Sequence, residues 1–405
     1  MSSAASSETA AVRPLGRVLI LADESANWKI AGRRQLDRLA LTLNEFARSE
    51  ELRDLVGVQV LWHPDVRQDQ RWLPSDRRLR ALHLTNAADE LVPDLILSTH
   101  LLLERESIPQ LLLASVPSSR QDDAVPAPPL RLANGELAPW RIISTKAEIP
   151  AGERAFLRES GKSQDGLVSR HLNRPVSRAI SRWLLKLPLA PSTWSLLIFA
   201  LPILASLFLL RGSYLGFVWG TAIFQLYSIL DGCDGEIARA KFLESEFGRR
   251  LDSLCDLVGN MMLALSLSLG LARQGHVGTT GDWFYISEGL AAAILIATSE
   301  GIVFTRRSRL GRTVAATGRW NGALYARHHE FLERSGILML GENAAWWLVQ
   351  FTKRDMAMLA FVVLALAGWP AGILHLLCVV SAVSSALAAN AFLRQPAPAL
   401  PQEAS

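Results

Sequence analysis

At 405 residues, with 50% hydrophobic and 20% charged side chains and a mean hydropathy of +0.20, the chain has room for two domains and is too apolar for a purely soluble protein. Its formal net charge of +4 is modest, and a slightly basic chain beside a membrane needs no nucleic acid to explain it. Cys233, Cys255 and Cys378 have no paired spacing, so neither a disulfide framework nor a zinc site is implied.

Met1 to Gly16 is polar and lacks an apolar core, so no cleavable signal is expected and the later spans must insert by themselves. Arg17 to Ala22 then reads as a short buried strand, and Leu36, Leu39, Ala40, Leu43, Phe46 and Ala47 mark one face of an amphipathic helix. Val56 to Trp62, Ala81 to Leu84 and Leu95 to Ser98 follow as apolar runs, with Ala87 to Leu91 and Ser107 to Leu113 between or after them. Alternating strand and helix predicts a small α/β layer structure with a largely parallel sheet. The stretch from Leu19 through Ser25, with Gly32 to Leu39, resembles the opening of sugar-nucleotide and inositol-phosphate nucleotidyltransferases. In that family a glycine-rich loop after the first strand cradles the nucleotide phosphates. Asp23 and Glu24 stand in that place here, and two acids repel a triphosphate. Leu95 to Thr99 resembles the strand that ends in a metal-binding Asp, with His100 following instead. A degenerate, catalytically silent scaffold or regulatory module is therefore expected; an unrelated α/β domain is the alternative.

From Ser115 to about Lys162 the prolines at 117, 126, 128, 129 and 139 mark turns and a linker. The expected division is 1–155 for the soluble domain, 156–190 for linker and juxtamembrane helix, 191–395 for the membrane domain and 396–405 for a tail. Leu167 to Leu187 carries Leu172, Val176, Ile180 and Leu184 on one side and Arg170, Arg174, Arg178, Arg182 and Lys186 on others, the pattern of a helix lying in the headgroup plane. Six transmembrane helices are expected: Trp194 to Leu210, Tyr214 to Arg239, Gly248 to Leu271, Phe284 to Phe304, Asp355 to Trp369 and Ala371 to Leu393. Basic residues crowd the loops after the second and fourth of these, which places both termini in the cytoplasm. His328, His329, Trp346 and Trp347 in the long fourth loop are read as solvent-facing and interfacial residues.

One stretch is costly in such a setting. Asp231-Gly232-Cys233-Asp234-Gly235-Glu236-Ile237-Ala238-Arg239, then Gly248, Asp252 and Asp256, set acids between long apolar runs, where a carboxylate costs on the order of 3 kcal/mol. At about 100° per residue, Asp231, Asp234, Gly235 and Ala238 share one helical face, and Gly248, Asp252 and Asp256 share another. Two such faces opposed would gather the carboxylates beside positions without side chains. Paired carboxylates with no His or Cys at ligand spacing suit magnesium or manganese, and the glycines admit a bulky ligand such as a diphosphate. If the second span enters from the outer side, Asp231 lies about 26 Å along it, near the cytoplasmic edge of a core about 30 Å thick.

The pattern D-x-x-D-G-x-x-A-R-x8-G-x3-D-x3-D resembles the signature of the CDP-alcohol phosphatidyltransferases, and every signature position is filled. The resemblance implies an integral membrane enzyme that moves a substituted phosphate from a CDP-linked donor to an alcohol, releasing CMP, at a site with two divalent ions, Mg2+ or Mn2+. It implies Asp231, Asp234, Asp252 and Asp256 as metal ligands, Asp256 also as general base, and Asp231, Gly235, Ala238, Arg239 and Gly248 as the CDP pocket. It also implies a homodimer, with membrane lipid as a partner. Asp165-Gly166 through Asn173-Arg174 to Ser177, and Lys353-Arg354-Asp355, resemble the inositol-phosphate branch. Pro191-Ser192-Thr193-Trp194-Ser195 resembles the family's Pro-Asn-x-x-Thr opening of the first span, with Ser at both polar positions. The resemblance implies CDP-inositol or CDP-diacylglycerol as donor and a polyol or polyol phosphate as acceptor. The expected setting is a bacterial inner (cytoplasmic) membrane with the site facing the cytosol. The rivals are an intramembrane prenyltransferase, which lacks the Ala238-Arg239 and Gly248 elements, and a transporter, which would spread its acids through the bilayer depth.

Overall fold

The computed structural model describes residues 16–49, 55–86, 93–103, 107–108, 111, 140–159, 167–274, 280–315 and 354–393. The expected segments Ala87 to Leu91 and most of Ser107 to Leu113, the proline-rich stretch, the loop with His328, His329, Trp346 and Trp347, and the tail lie outside the described residues. The chain divides into two compact units, residues 1–159 and 160–405.

In the first unit, strands β1 (Arg17–Ala22), β4 (Val56–Trp62), β5 (Leu82–Thr85) and β6 (Leu95–Ser98) form one sheet in the order β5-β4-β1-β6, parallel throughout. Val18, Ile20 and Ala22 alternate inward on β1, as do Val56, Val58 and Val60 on β4. Helix α1 (Gln35–Ser49) closes over them, and its periodic residues Leu36, Leu39, Ala40, Leu43, Phe46 and Ala47 are all buried. Two small antiparallel pairs were not expected: β2 (Lys29–Ile30) with β3 (Arg33–Arg34), and β7 (Leu101–Leu103) with β8 (Trp140–Ile142). Helix α2 (Ile149–Glu159) runs through the stretch expected to be a linker and across residue 155. Glu153 on it accepts a hydrogen bond from the Ala31 amide at 2.7 Å, a long-range contact without periodic signature.

The second unit is helical. It contains α3 (Arg174–Leu184), α4 (Pro191–Ile198), α5 (Ala200–Leu209), α6 (Tyr214–Lys241), α7 (Glu246–Gln274), α8 (Thr280–Ala315), α9 (Arg354–Leu366) and α10 (Pro370–Leu393). The first expected span is interrupted at Phe199 into α4 and α5. Among the described residues, Pro191–Leu209 and Glu246–Gln274 are long and apolar enough to cross a membrane. Leu196, Leu204, Leu215, Trp219 and Leu269 point outward and are exposed, an apolar surface that lipid would cover.

The juxtamembrane stretch packs by its polar side. A π-turn over Ser169–Asn173 leads into α3, which buries Asn173, Arg174, Ser177 and Ser181 and exposes Leu172, Val176 and Trp183. The polar face is the packed one because it meets polar partners. Gln225 on α6 donates to the Asn173 side-chain oxygen at 3.0 Å, and Glu236 accepts from Arg174 at 3.1 Å and from Ser177 at 2.8 Å. Arg174, one of the basic residues off the apolar stripe, is a buried ion-pair partner.

Helix α6 ends where Phe242 adopts a left-handed conformation, φ 56°, and Leu243 N returns to the Ala238 carbonyl at 2.8 Å. The chain reverses within a few residues into α7, so side chains equally far from the turn along the two helices come opposite one another. Asp231 and Asp256 each lie about ten residues, about 15 Å, from it.

Candidate functional site

Asp231, Asp234, Gly235, Ala238 and Arg239 occupy a half-buried face of α6, whereas Cys233, Glu236, Ile237 and Ala240 occupy its buried face. Across from the first face, α7 presents Asp252 and Asp256. One carboxylate oxygen from each of Asp231, Asp252 and Asp256 lies within 4.8 Å of the other two. Asp234, on the same face of α6, is not one of these three. Its Oδ2 accepts a hydrogen bond from Ser195 Oγ at 2.5 Å, so the opening of α4 is tied to the acidic face of α6. The Ser that replaces Thr in the family's opening thus still has a polar role. Trp194, one residue earlier, donates from Nε1 to the Leu230 carbonyl at 3.2 Å and holds the same corner.

An all-oxygen donor set of this spacing fits a hard divalent ion. The same carboxylates also meet a cation of the chain itself: Nη1 of Arg354, at the start of α9, contacts Asp256 Oδ1 and lies 3.7 Å from Asp231 Oδ2. A positive charge already sits where the acids converge. The guanidinium lies over the Tyr227 ring, 4.9 Å from its centroid, and the Tyr227 hydroxyl donates to Asp256 Oδ1 at 3.3 Å. Asp355, the next residue, accepts from the Ser169 amide at 2.5 Å, so the start of α9 is clamped to the turn before α3.

The glycines of the motif differ in their surroundings. A Cβ on Gly235 would meet only the tip of Arg239, 3.1 Å from Nη1, and one on Gly248 only the Ser245 hydroxyl at 3.1 Å. Neither is required by backbone packing. Gly232, by contrast, faces α3, where a Cβ would come within 2.9 Å of Arg174 Nη1.

Tyr227 and Glu236 were missed by sequence reasoning. Tyr227 precedes Asp231 by one helical turn and so shares its face, a signal that was present in the spacing. Glu236 falls on the opposite face, and an acid there called for a buried cation on another element. In the first unit, Asp23 and His100 come together at the carboxyl ends of β1 and β6. Asp23 Oδ2 lies 2.7 Å from His100 Nε2, and Asp23 Oδ1 accepts from the Ser25 amide at 2.8 Å. Burial of the Asp23 carboxyl works against its ionisation, but the Ser25 hydrogen bonds and the His100 ring outweigh it and hold the group below the usual carboxylate range.

Residues 189–394, about half of the chain, match the CDP-alcohol phosphatidyltransferase family, and the chain belongs to that family. Within it, the chain is 41% identical over 137 residues to the bifunctional IPC transferase and DIPP synthase of Rubrobacter xylanophilus, covering 34% of this chain and 31% of the relative. It is 38% identical over 128 residues to the protein of that name from Thermococcus kodakarensis, covering 31% of this chain and 28% of the relative. A phosphatidylinositol phosphate synthase of Mycobacteroides abscessus is 25% identical over 201 residues, 49% of this chain and 85% of the relative. The chain therefore matches less than a third of the length of either bifunctional relative.

Proposed function

We propose that this protein is an integral membrane transferase that moves a substituted phosphate from a CDP-linked donor to an alcohol, with release of CMP. The observation that carries this reading is the convergence of Asp231, Asp252 and Asp256 from two adjacent helices to within 4.8 Å. Asp231, Asp234, Asp252 and Asp256 would hold Mg2+ or Mn2+, and two such ions, when bound, neutralise the donor diphosphate and the departing phosphate. Gly235, Ala238 and Gly248 leave room for the CDP moiety beside α6 and α7, and Arg239 lies along the same face. The acceptor hydroxyl oxygen bonds to the β-phosphorus, the bond from that phosphorus to the bridging oxygen breaks, and CMP leaves with that oxygen. Asp256 takes the hydroxyl proton.

The name of the Mycobacteroides abscessus relative favours inositol phosphate, or a similar polyol phosphate, as acceptor, and the donor is CDP-diacylglycerol or CDP-inositol. The expected arrangement is six transmembrane helices with α3 in the headgroup plane, its exposed Leu172, Val176 and Trp183 in lipid. Both termini and the site face the cytosol of a bacterial inner membrane, and the protein is a homodimer. Residues 1–155 form a degenerate nucleotidyltransferase-like domain. The Asp23–His100 pair supports this, because it fills with a carboxylate the corner where a phosphate would lie.

Incubating the purified protein with Mg2+, either donor and a panel of polyol phosphates, and following CMP, tests the reading. CMP release that requires both acceptor and metal is expected, and its absence with every pair would overturn the assignment. Asp256→Asn is expected to abolish transfer while CDP-donor binding stays largely intact; turnover at the wild-type rate would remove Asp256 as the base.

A further inference from the structure

The acids of α6 and α7 meet a cation from within the chain. Arg354 Nη1 contacts Asp256 Oδ1 and reaches toward Asp231 Oδ2 at 3.7 Å, so one guanidinium spans two of the three triad carboxylates. Nε of Arg354 is buried without a hydrogen-bond partner, and the flat face of the group rests on Tyr227. A guanidinium with a committed structural role ordinarily spreads its donors over several acceptors. The backbone of Arg354 is fixed by other means, since Met358, Phe361 and Ala365 bury the inner face of α9 and Asp355 binds the Ser169 amide. Displacing the side chain would therefore leave the helix that carries it in place. A divalent ion bound by Asp231 and Asp256 would repel a guanidinium in contact with the same carboxylates.

We propose that Arg354 is an internal counter-cation that closes the acid cluster in the metal-free protein and is exchanged for the divalent ion when the site loads. The inference rests on the metal reading above. Its consequence is that Asp256 is withheld from proton transfer until the ion has entered. The exchange also makes metal affinity weaker than the carboxylates alone would set, because each binding event must first displace a paired charge.

Mn2+ binding to the purified full-length protein, read as loss of the free-ion electron paramagnetic resonance signal, tests the exchange. Arg354→Gln is expected to bind Mn2+ at least about tenfold more tightly than wild type, equivalent to about 1.4 kcal/mol. Arg354→Lys, which keeps the charge, should stay within about threefold of wild type. In EDTA, Arg354→Gln should melt below wild type, and Mn2+ should close that gap. Unchanged or weaker Mn2+ affinity in Arg354→Gln, or an equal melting deficit with and without Mn2+, would overturn the proposal. A measurement on wild type does not depend on the variants folding: phenylglyoxal should modify Arg354 faster in Mn2+ than in EDTA, and equal rates would also overturn it. Failure of wild type to bind Mn2+ any better than Asp231→Asn would instead sink the metal reading on which the exchange depends.

Discussion

At Gly235 a Cβ would touch only the movable tip of Arg239, whereas at Gly270 it would collide with the backbone carbonyl of Leu209. Only a flexible tip crowds the first position, so helix packing does not require its lack of a side chain, which in the proposed site serves the donor; the second answers to helix packing. Gly235→Ala and Gly248→Ala should therefore change stability by less than about 0.5 kcal/mol. They should nevertheless weaken CDP-donor binding at least about tenfold, equivalent to about 1.4 kcal/mol, measured by calorimetry. Gly270→Ala should show the reverse, a lowered melting temperature with donor affinity retained in the folded fraction. The acids and glycines were legible in the sequence because helical spacing alone puts them on two faces. Arg354 was legible as a loop charge within a stretch resembling the inositol-phosphate branch, but not as a partner of the acids, since Asp256 lies 98 residues away.

Among the described residues, a buried ion pair of Arg174 with Glu236, supported by Ser177, ties helix α3 to α6. Removing one partner leaves the other charged and buried, so Arg174→Ala should cost about 3–5 kcal/mol in thermal unfolding of the detergent-solubilised protein. Replacing both residues by apolar ones of similar size should recover much of that loss. The apolar side chains of α3 made its amphipathic character readable, but which face packs inward depended on where Glu236 sits. In the first unit, hydrogen bonds from the Arg78 side chain outweigh burial and hold Asp76 well below the usual carboxylate range. Its oxygens accept from Arg78 Nη2 at 2.5 Å and from Arg33 at 3.4 Å on the β2–β3 hairpin. A depressed folded value means the stabilisation is present above about pH 4, the unfolded carboxylate range, and fades as the pH falls further. Asp76→Asn should thus lower the melting temperature at pH 7, and the deficit should shrink by pH 3.

The molecule joins a parallel α/β unit to a helical one, and the match to the family covers the helical unit alone. If the first unit is a scaffold or regulator, the double variant Asp23→Ala and His100→Ala should leave CMP release within about twofold of wild type, well under the loss of about tenfold per 1.36 kcal/mol that a catalytic contact would cost. A larger loss in correctly folded protein would give that corner a part in the reaction. The sheet of this unit was readable from its apolar runs, because a buried parallel strand is a local pattern. Helix α2 and strand β8 were not, because Glu153 and Trp140 are held by residues far away in the chain.

The sequence by itself determined the α/β and helical halves, the motif and the two acidic faces, since each follows from a repeat of two or 3.6 residues within one segment. Only the tertiary structure decided that three of the acids converge while Asp234 turns to Ser195, that α3 packs by its polar side, and that an arginine stands among the carboxylates. Those outcomes depend on which distant elements bring a compensating charge or hydrogen bond. Local periodicity carries no record of that.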